Sequence, residues 1–238
     1  MLETDGPHLA ALAALLADPT RATMCLALLD DRAWTSGELA RHAGVSASTA
    51  SEHLNRLVEG GLLTEVRQGR HRYVRLSGPE TAHLVETMAG HIAPERRPVR
   101  SLAQSARRRA LSRARTCYDH LAGALGVDVT RAMSERGLLD QETGFALTDA
   151  GSAWFSDLGI DLRNGGRRPL ARPCLDWTER RPHLAGVAGA ALLSHVLAAG
   201  WCVRIGGGRA LRVTDQGVRD LADLLGLDVS AGAEASAS

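Results

Sequence analysis

The chain contains no lysine: apart from histidine, every basic residue in its 238 positions is arginine. Together with abundant Ala and Gly, this points to a GC-rich genome and says nothing about chemistry. Cysteine is scarce. Cys25, Cys117, Cys174 and Cys202 are too few and too dispersed for a disulfide scaffold. No apolar run approaches the roughly 20 residues that span a bilayer, which argues against a membrane partner. The start, Met-Leu-Glu-Thr-Asp-Gly, lacks the basic segment of a secretory signal, so a cytoplasmic location is expected. Excess charge is missing too. A net charge of +1 gives no overall basic surface for nucleic acid, so any such partner must be met by a local patch. The 45% hydrophobic content is ample for a core, and the length suits one large domain or two smaller ones.

Helical spacing is clear in the first third. His8–Asp18 carries Leu9, Leu12, Leu15 and Leu16 on one side. Asp18-Pro-Thr breaks that helix and opens the next, Thr20–Leu29, in which Cys25 reads as a small core residue. Thr35-Ser-Gly-Glu38 fits a capping box, and Gly44 can end the short helix it starts. Ser46 then caps a second helix with a buried stripe of Ala50, Leu54, Leu57 and Val58. A short helix, a Gly-containing turn and a second helix make a helix-turn-helix. The other face of the second helix offers Ser48, Thr49, Ser51, Asn55 and Arg56. Hydroxyls suit close approach to phosphate, and Asn and Arg suit two-pronged contacts with bases. His53 borders the stripe, and either groove contact or partial burial fits it. Beyond Gly60-Gly61, Leu62–Arg67 and His71–Leu76 read as paired strands joined by Gln68-Gly69-Arg70. Arg67, Arg70 and Arg72 cluster at their tip as a phosphate-gripping wing.

These motifs, in this order, resemble the winged helix of the ArsR bacterial regulators: Ala17-Asp-Pro-Thr-Arg21, Ser36-Gly-Glu-Leu-Ala40, Ser46-Ala-Ser-Thr-Ala-Ser-Glu-His-Leu54, Gly60-Gly-Leu-Leu63 and Arg67-Gln-Gly-Arg-His-Arg-Tyr73. The resemblance covers roughly residues 8–93. It implies a homodimer, paired through helices here at His8–Asp18 and Pro79–Ile92, that represses a double-stranded operator until an effector binds. It does not carry over the metal sites of that family. Glu38-Leu-Ala-Arg-His42 offers no thiol, and Glu80, His83, Glu86, His91 and Glu95 are wrongly spaced for the site on the dimer helix.

The expected fold class is mainly α with small β-hairpins (α+β). The expected domains are a winged helix-turn-helix over residues 1–95, an Arg-rich linker helix over 96–116, and a duplicated effector or dimerisation domain over 117–238. The linker stretch, Arg96–Arg115, holds eight arginines and no acid. Ser101–His120 reads as a helix whose arginines are solvated over a neighbouring element or add phosphate contacts.

The duplication is explicit. His120-Leu-Ala-Gly-Ala-Leu-Gly126 recurs as His183-Leu-Ala-Gly-Val-Ala-Gly189, with Gly137 and Gly200 at the same offset. Leu147-Thr-Asp-Ala-Gly151 matches Val213-Thr-Asp-Gln-Gly217, and Leu158-Gly-Ile-Asp161 matches Leu225-Gly-Leu-Asp228. Each copy, about 117–162 and 174–229, reads as helix, hairpin, helix, a reduced winged-helix unit. Neither carries a polar reading face. Cys117-Tyr-Asp119 and Cys174-Leu-Asp176 precede the repeated histidines, although Trp177–Pro182 intervenes in the second copy only. Cys117, Asp119, His120, Cys174, Asp176 and His183 could ligate a divalent metal. They could equally pack, cap a helix and satisfy a core, or the thiols could form a redox switch. Trp154, Trp177 and Trp201 could instead line a pocket for a small organic effector.

The function that fits is a sequence-specific DNA-binding transcriptional regulator, a dimeric repressor with effector sensing in the C-terminal half. In one alternative that half only dimerises. In another it is an enzyme with Cys117 or Cys174 as nucleophile, although no nucleophile elbow, phosphate loop or metalloprotease motif is present.

Overall fold

The computed structural model describes residues 5–30, 33–68, 71–91, 102–163, 168–206 and 208–229. The chain divides into two compact units, Met1–Glu86 and Thr87–Ser238.

The first unit opens with α1 (Gly6–Leu16) and α2 (Pro19–Ala27), followed by a tight turn at Leu28–Asp30. Asp18 caps α2 by accepting from the Arg21 N–H at 2.9 Å. The Arg21 guanidinium turns back to the last carbonyls of α1, donating to Leu15 O and Ala14 O. One Asp-Pro-Thr-Arg segment thus satisfies the end of one helix and the start of the next. Then come β1 (Trp34–Thr35), α3 (Ser36–Ala43), α4 (Ala47–Glu59), β2 (Leu63–Gln68), β3 (His71–Leu76) and α5 (Pro79–Gly90). The capping box at Thr35 and Glu38 is formed, and Gly44 ends α3 at φ 73°. The strands form one antiparallel sheet ordered β1-β3-β2. Leu39, Ala50, Leu54, Leu57, Val74 and Val85 share the core with Cys25, whose thiol burial pushes up to about 12.

The second unit contains α6 (Leu102–Arg113) and two similar runs. The first is β4 (Arg115–Cys117), β5 (His120–Ala122), α7 (Gly123–Glu135), β6 (Leu139–Asp140), β7 (Ala146–Leu147) and α8 (Asp149–Asp157). The second is β8 (Arg172–Leu175), β9 (Pro182–Ala185), α9 (Gly186–Ala198), β10 (Cys202–Arg204), β11 (Leu211–Val213) and α10 (Asp215–Leu225). The expected helix, hairpin and helix are present in each run, preceded by a hairpin that the sequence did not disclose. The helix expected to run to His120 stops at Arg113. The residues after Ala114 become a β-hairpin because Thr116, Cys117 and Leu121 are buried on extended strands, and Tyr118 turns the chain at φ 54°. Helix propensity in the Arg- and Ala-rich stretch loses here to burial.

The closing helices start alike. Thr148 accepts from the Gly151 N–H and donates to Gly137 O, and Thr214 accepts from the Gly217 N–H and donates to Gly200 O. A single core runs through both repeats, with Leu125, Met133 and Phe155 from one and Leu192, Trp201 and Leu221 from the other. Among the described residues no single helix is long and apolar enough to cross a membrane. Thr214→Ala removes both the cap and the bond to Gly200. It is expected to lower stability by about 1–2 kcal/mol in urea unfolding of the full chain, whereas Thr214→Ser stays near wild type.

Candidate nucleic-acid interface and a buried cysteine–histidine cluster

The exposed start of α4 is a knot of hydroxyls. Ser46 caps the helix by accepting from the Thr49 N–H at 3.1 Å, and its Oγ is hydrogen-bonded to those of Ser48 and Thr49. Asn55 and Arg56 are exposed on the same helix. Two expected readers turn elsewhere. Ser51 lies 3.4 Å from Ser36 Oγ of α3, and His53 points inward with Nδ1 3.7 Å from Asp18 Oδ1. The structure places His53 in partial burial, with its side chain 16% exposed.

On the wing, register sets Arg67 directly opposite Arg72. Like charges so placed repel. Glu65, two residues along on the same face, lies 2.7 Å from the Arg72 guanidinium and 3.5 Å from that of Arg67. Arg72 also donates to Asn55 Oδ1 at 2.7 Å, so it braces the wing against α4. Arg67 remains exposed. Arg70 lies outside the described residues.

In the second unit, hairpin pairing sets Cys117 across from His120 and Cys174 across from His183. Cross-strand partners share one face of a sheet, so each hairpin presents a thiol and an imidazole together. The unequal spacing of the two copies is absorbed in the turns. The first takes two residues, and the second is a longer loop in which Asp176 accepts from the Thr178 and Glu179 N–H groups. The two hairpins bring their pairs to one point. Cys117 Sγ and Cys174 Sγ are 3.9 Å apart, and His120 Nε2 and His183 Nε2 are 3.1 Å apart. One ligand atom from each of the four lies within 4.8 Å of every other, and all four residues are buried. The arrangement is reciprocal. Gly126 of α7 faces His183 and Gly189 of α9 faces His120, and a methyl group on either would collide with backbone carbonyl oxygen at 2.6 or 2.5 Å.

Asp119 and Asp176 stand behind the histidines, not among the facing atoms. Asp119 Oδ1 is 3.2 Å from His120 Nδ1, and its other oxygen accepts from Arg168 at 2.8 Å. Burial opposes its charge, but His120 and Arg168 prevail and hold its carboxyl down to about 2. Asp176 is fully buried beside fully buried Arg115, at 3.0 Å, and also accepts from the Gly123 N–H at 2.7 Å. Its Oδ2 lies 3.3 Å from His183 Nδ1, at ion-pair distance without hydrogen-bond alignment. Against the desolvation that opposes ionisation, these partners keep Asp176 far below the usual carboxylate range. Desolvation likewise works against a charged His183, yet Asp176 and Cys117 raise its affinity for a proton. Arg115, which the sequence suggested as solvated, is thus a buried partner stacked 5.0 Å over Trp177.

The three tryptophans lie in different surroundings, with Trp177 beneath the Arg115 guanidinium. Trp201 is buried in the core against His195, and Trp154 packs at its edge on Phe155. The 550 Å³ groove of this unit is lined instead by Arg108, Arg109, Arg113 and Glu179 among others.

Residues 16–66 match the helix-turn-helix domain family. The HTH-type transcriptional regulator YdfF of Bacillus subtilis (strain 168) is 43% identical over 215 residues, covering 89% of this chain and 94% of its own. The chain belongs to the HTH-type transcriptional regulators, with an ArsR-like winged helix. The HTH-type transcriptional regulator CmtR of Mycobacterium tuberculosis (strain ATCC 25618 / H37Rv) is 44% identical over 62 residues, covering 26% of this chain and 52% of that one. The transcriptional repressor BigR from Xylella fastidiosa, a solved structure, is 24% identical with a TM-score of 0.36, covering 40% of this chain and 95% of that one.

This is a DNA-binding regulator of transcription. The similarity to YdfF extends through most of the duplicated half, whereas the match to CmtR is confined to 62 residues. Two residues that matter in the regulator carried no local signal. Glu65 is understood only from strand register, and Arg115 only from its contact with Asp176, 61 positions away. Asp176→Asn strands the Arg115 charge without its partner. The expected cost is about 3–5 kcal/mol in urea unfolding, against well under half of that for the more exposed Asp119→Asn.

Proposed function

We propose that the regulator is a homodimeric repressor that reads a two-fold operator with α4 and the wing and releases it when a ligand occupies the C-terminal half. The observation that carries the reading is the exposed start of α4. Ser46, Ser48 and Thr49 present hydroxyls there, and Asn55 and Arg56 follow on the same helix, where Arg72 of the wing donates to Asn55 Oδ1. Hydroxyls and N–H groups at a helix start suit phosphate, and Asn and Arg suit base edges.

Dimerisation is supported by exposed apolar surface on the helices that the family resemblance assigns to it. α1 is almost wholly apolar, yet none of its residues is buried, and Leu9 is 68% exposed. On α5, Leu84 and Met88 are exposed as well. A helix of that composition needs a partner surface. The burial of Cys117 and Cys174, together with regulators as relatives, supports a non-enzymatic role.

Binding of the purified protein to its own promoter, followed by fluorescence anisotropy across a salt series, tests the reading of α4. Arg56→Ala is expected to lose discrimination between operator and random DNA by about 1–3 kcal/mol, and Arg67→Ala to weaken both alike and flatten the salt slope by about one. Equal loss on both DNAs from Arg56→Ala makes that residue a phosphate contact and removes it from base reading. Separately, Leu9→Glu with Leu84→Glu is expected to convert a dimer to a folded monomer in light scattering, with operator affinity falling at least ~100-fold as the second half-site contact is lost. A double variant that remains dimeric overturns the assignment of α1 and α5.

A further inference from the structure

From the geometry of the duplicated half, we infer that Cys117, His120, Cys174 and His183 form a tetrahedral site for one zinc-class divalent cation. The metal is shared by the two repeats, with Asp119 and Asp176 orienting the histidines from behind. This deepens the sensory reading above by naming the ligand chemistry, and it stands whether or not the site controls the operator.

The donor set comes first. Two thiols and two imidazoles exclude the hard cations, which take oxygen, and favour borderline or soft ions with tetrahedral preference. Two thiolates around a divalent ion also leave the buried centre electrically neutral, which limits the desolvation cost. The spacing of the donors agrees. With metal–sulfur bonds of about 2.3 Å and metal–nitrogen bonds of about 2.0–2.1 Å, a tetrahedron has S···S near 3.8 Å and N···N near 3.3 Å. The structure holds 3.9 Å and 3.1 Å.

The orientation of the rings points the same way. Each imidazole has a carboxylate at Nδ1, Asp119 for His120 and Asp176 for His183. A carboxylate on the Nδ1 side is the usual outer partner of a metal-bound histidine and leaves Nε2 toward the metal. The two Nε2 atoms face each other at 3.1 Å beside the two thiols, as four ligands around one cation would.

The site is divided between the repeats. Each hairpin supplies one Cys and one His as a cross-strand pair, and neither pair alone fills a tetrahedron. Bound metal therefore crosslinks β4–β5 to β8–β9. The carboxylates are positioning residues in this scheme. Replacing one weakens metal without removing a ligand, typically by 10–100-fold.

Full-length protein purified without chelator or affinity-tag metal is expected to carry close to one zinc per chain by mass spectrometry. Cys117→Ser with Cys174→Ser should lose it, while Cys202→Ser, a buried thiol outside the cluster, should retain it. Because the double variant could misfold, metal-free wild type is titrated with cobalt(II) alone. A one-to-one endpoint with the visible absorption of a tetrahedral thiolate complex supports the site. Asp119→Asn should give the same spectrum with affinity lowered by about 10–100-fold. Wild type without zinc and without that cobalt spectrum overturns the inference, as does zinc retained by the double variant or a Cys117–Cys174 disulfide in metal-free native protein. Operator affinity measured on the same loaded and metal-free samples separates the two readings. A one-to-one metal content with unchanged operator affinity supports the site and overturns the sensory role.

Discussion

The C-terminal half depends on one buried charge, the carboxylate of Asp176. Neither Asp176 nor Arg115 has any exposed side-chain surface. Removing two ions from water costs several kcal/mol each, recovered only when geometry is good and every remaining lone pair is used. Asp176 meets that condition with partners from separate segments: Arg115 from β4, the N–H of Gly123 at the start of α7, Thr178 from its own loop, and His183 from β9. α7 has no side-chain cap of its own, because Ala122 holds that position. A carboxylate from the other repeat takes the place of the cap, where the helix dipole favours negative charge. The start of α9 is satisfied differently, by the carbonyls of Pro169 and Leu170. The two copies therefore share a backbone but not the means of holding it, and the asymmetry fixes one hairpin against the other.

Local signals in the sequence were enough for the reading unit. Thr35 with Glu38, Gly44, Ser46 and the Leu54–Leu57 stripe each act within a few residues, so the helices at α3 and α4 and the wing that follows lie where their side chains demand. The boundaries of α1, α2 and α5 differ from expectation by only a few residues. What the wing does with its arginines was not legible. Whether Arg72 grips phosphate or braces α4 depends on register and on Glu65, and neither is a local property.

The second half reverses this. Its duplication is plain in the sequence, as are the six chemical residues, but the helix reading across Arg115–His120 hid their relation. An Ala- and Arg-rich stretch has high helix propensity, and only the burial of Thr116, Cys117 and Leu121 converts it to a hairpin. On a helix, Cys117 and His120 would be loosely adjacent; on paired strands they are opposed. The six residues between Asp176 and His183 looked like a defect in the repeat. In a hairpin they are a longer loop, and loop length does not alter which residues face each other. The two aspartates read as ligands because they sit beside the cysteines in sequence. Asp119 lies in the turn between β4 and β5 and Asp176 in the loop after β8, outside the strands, and both stand on the Nδ1 side of the rings.

Burial also bears on how the proposed site could be filled. Cys117 is 2% exposed, Cys174 7%, and neither histidine has measurable surface. No ion reaches these atoms while the hairpins are packed, so loading requires β4–β5 and β8–β9 to separate locally. The small cluster beneath them contains only Cys117, Cys174, Ala122 and Ala185. Beside it, Leu121 and Leu184 of the same hairpins belong to the larger shared core, and the Arg115–Asp176 pair joins the two repeats. Metal would then act on the packing between repeats before it acts on anything else.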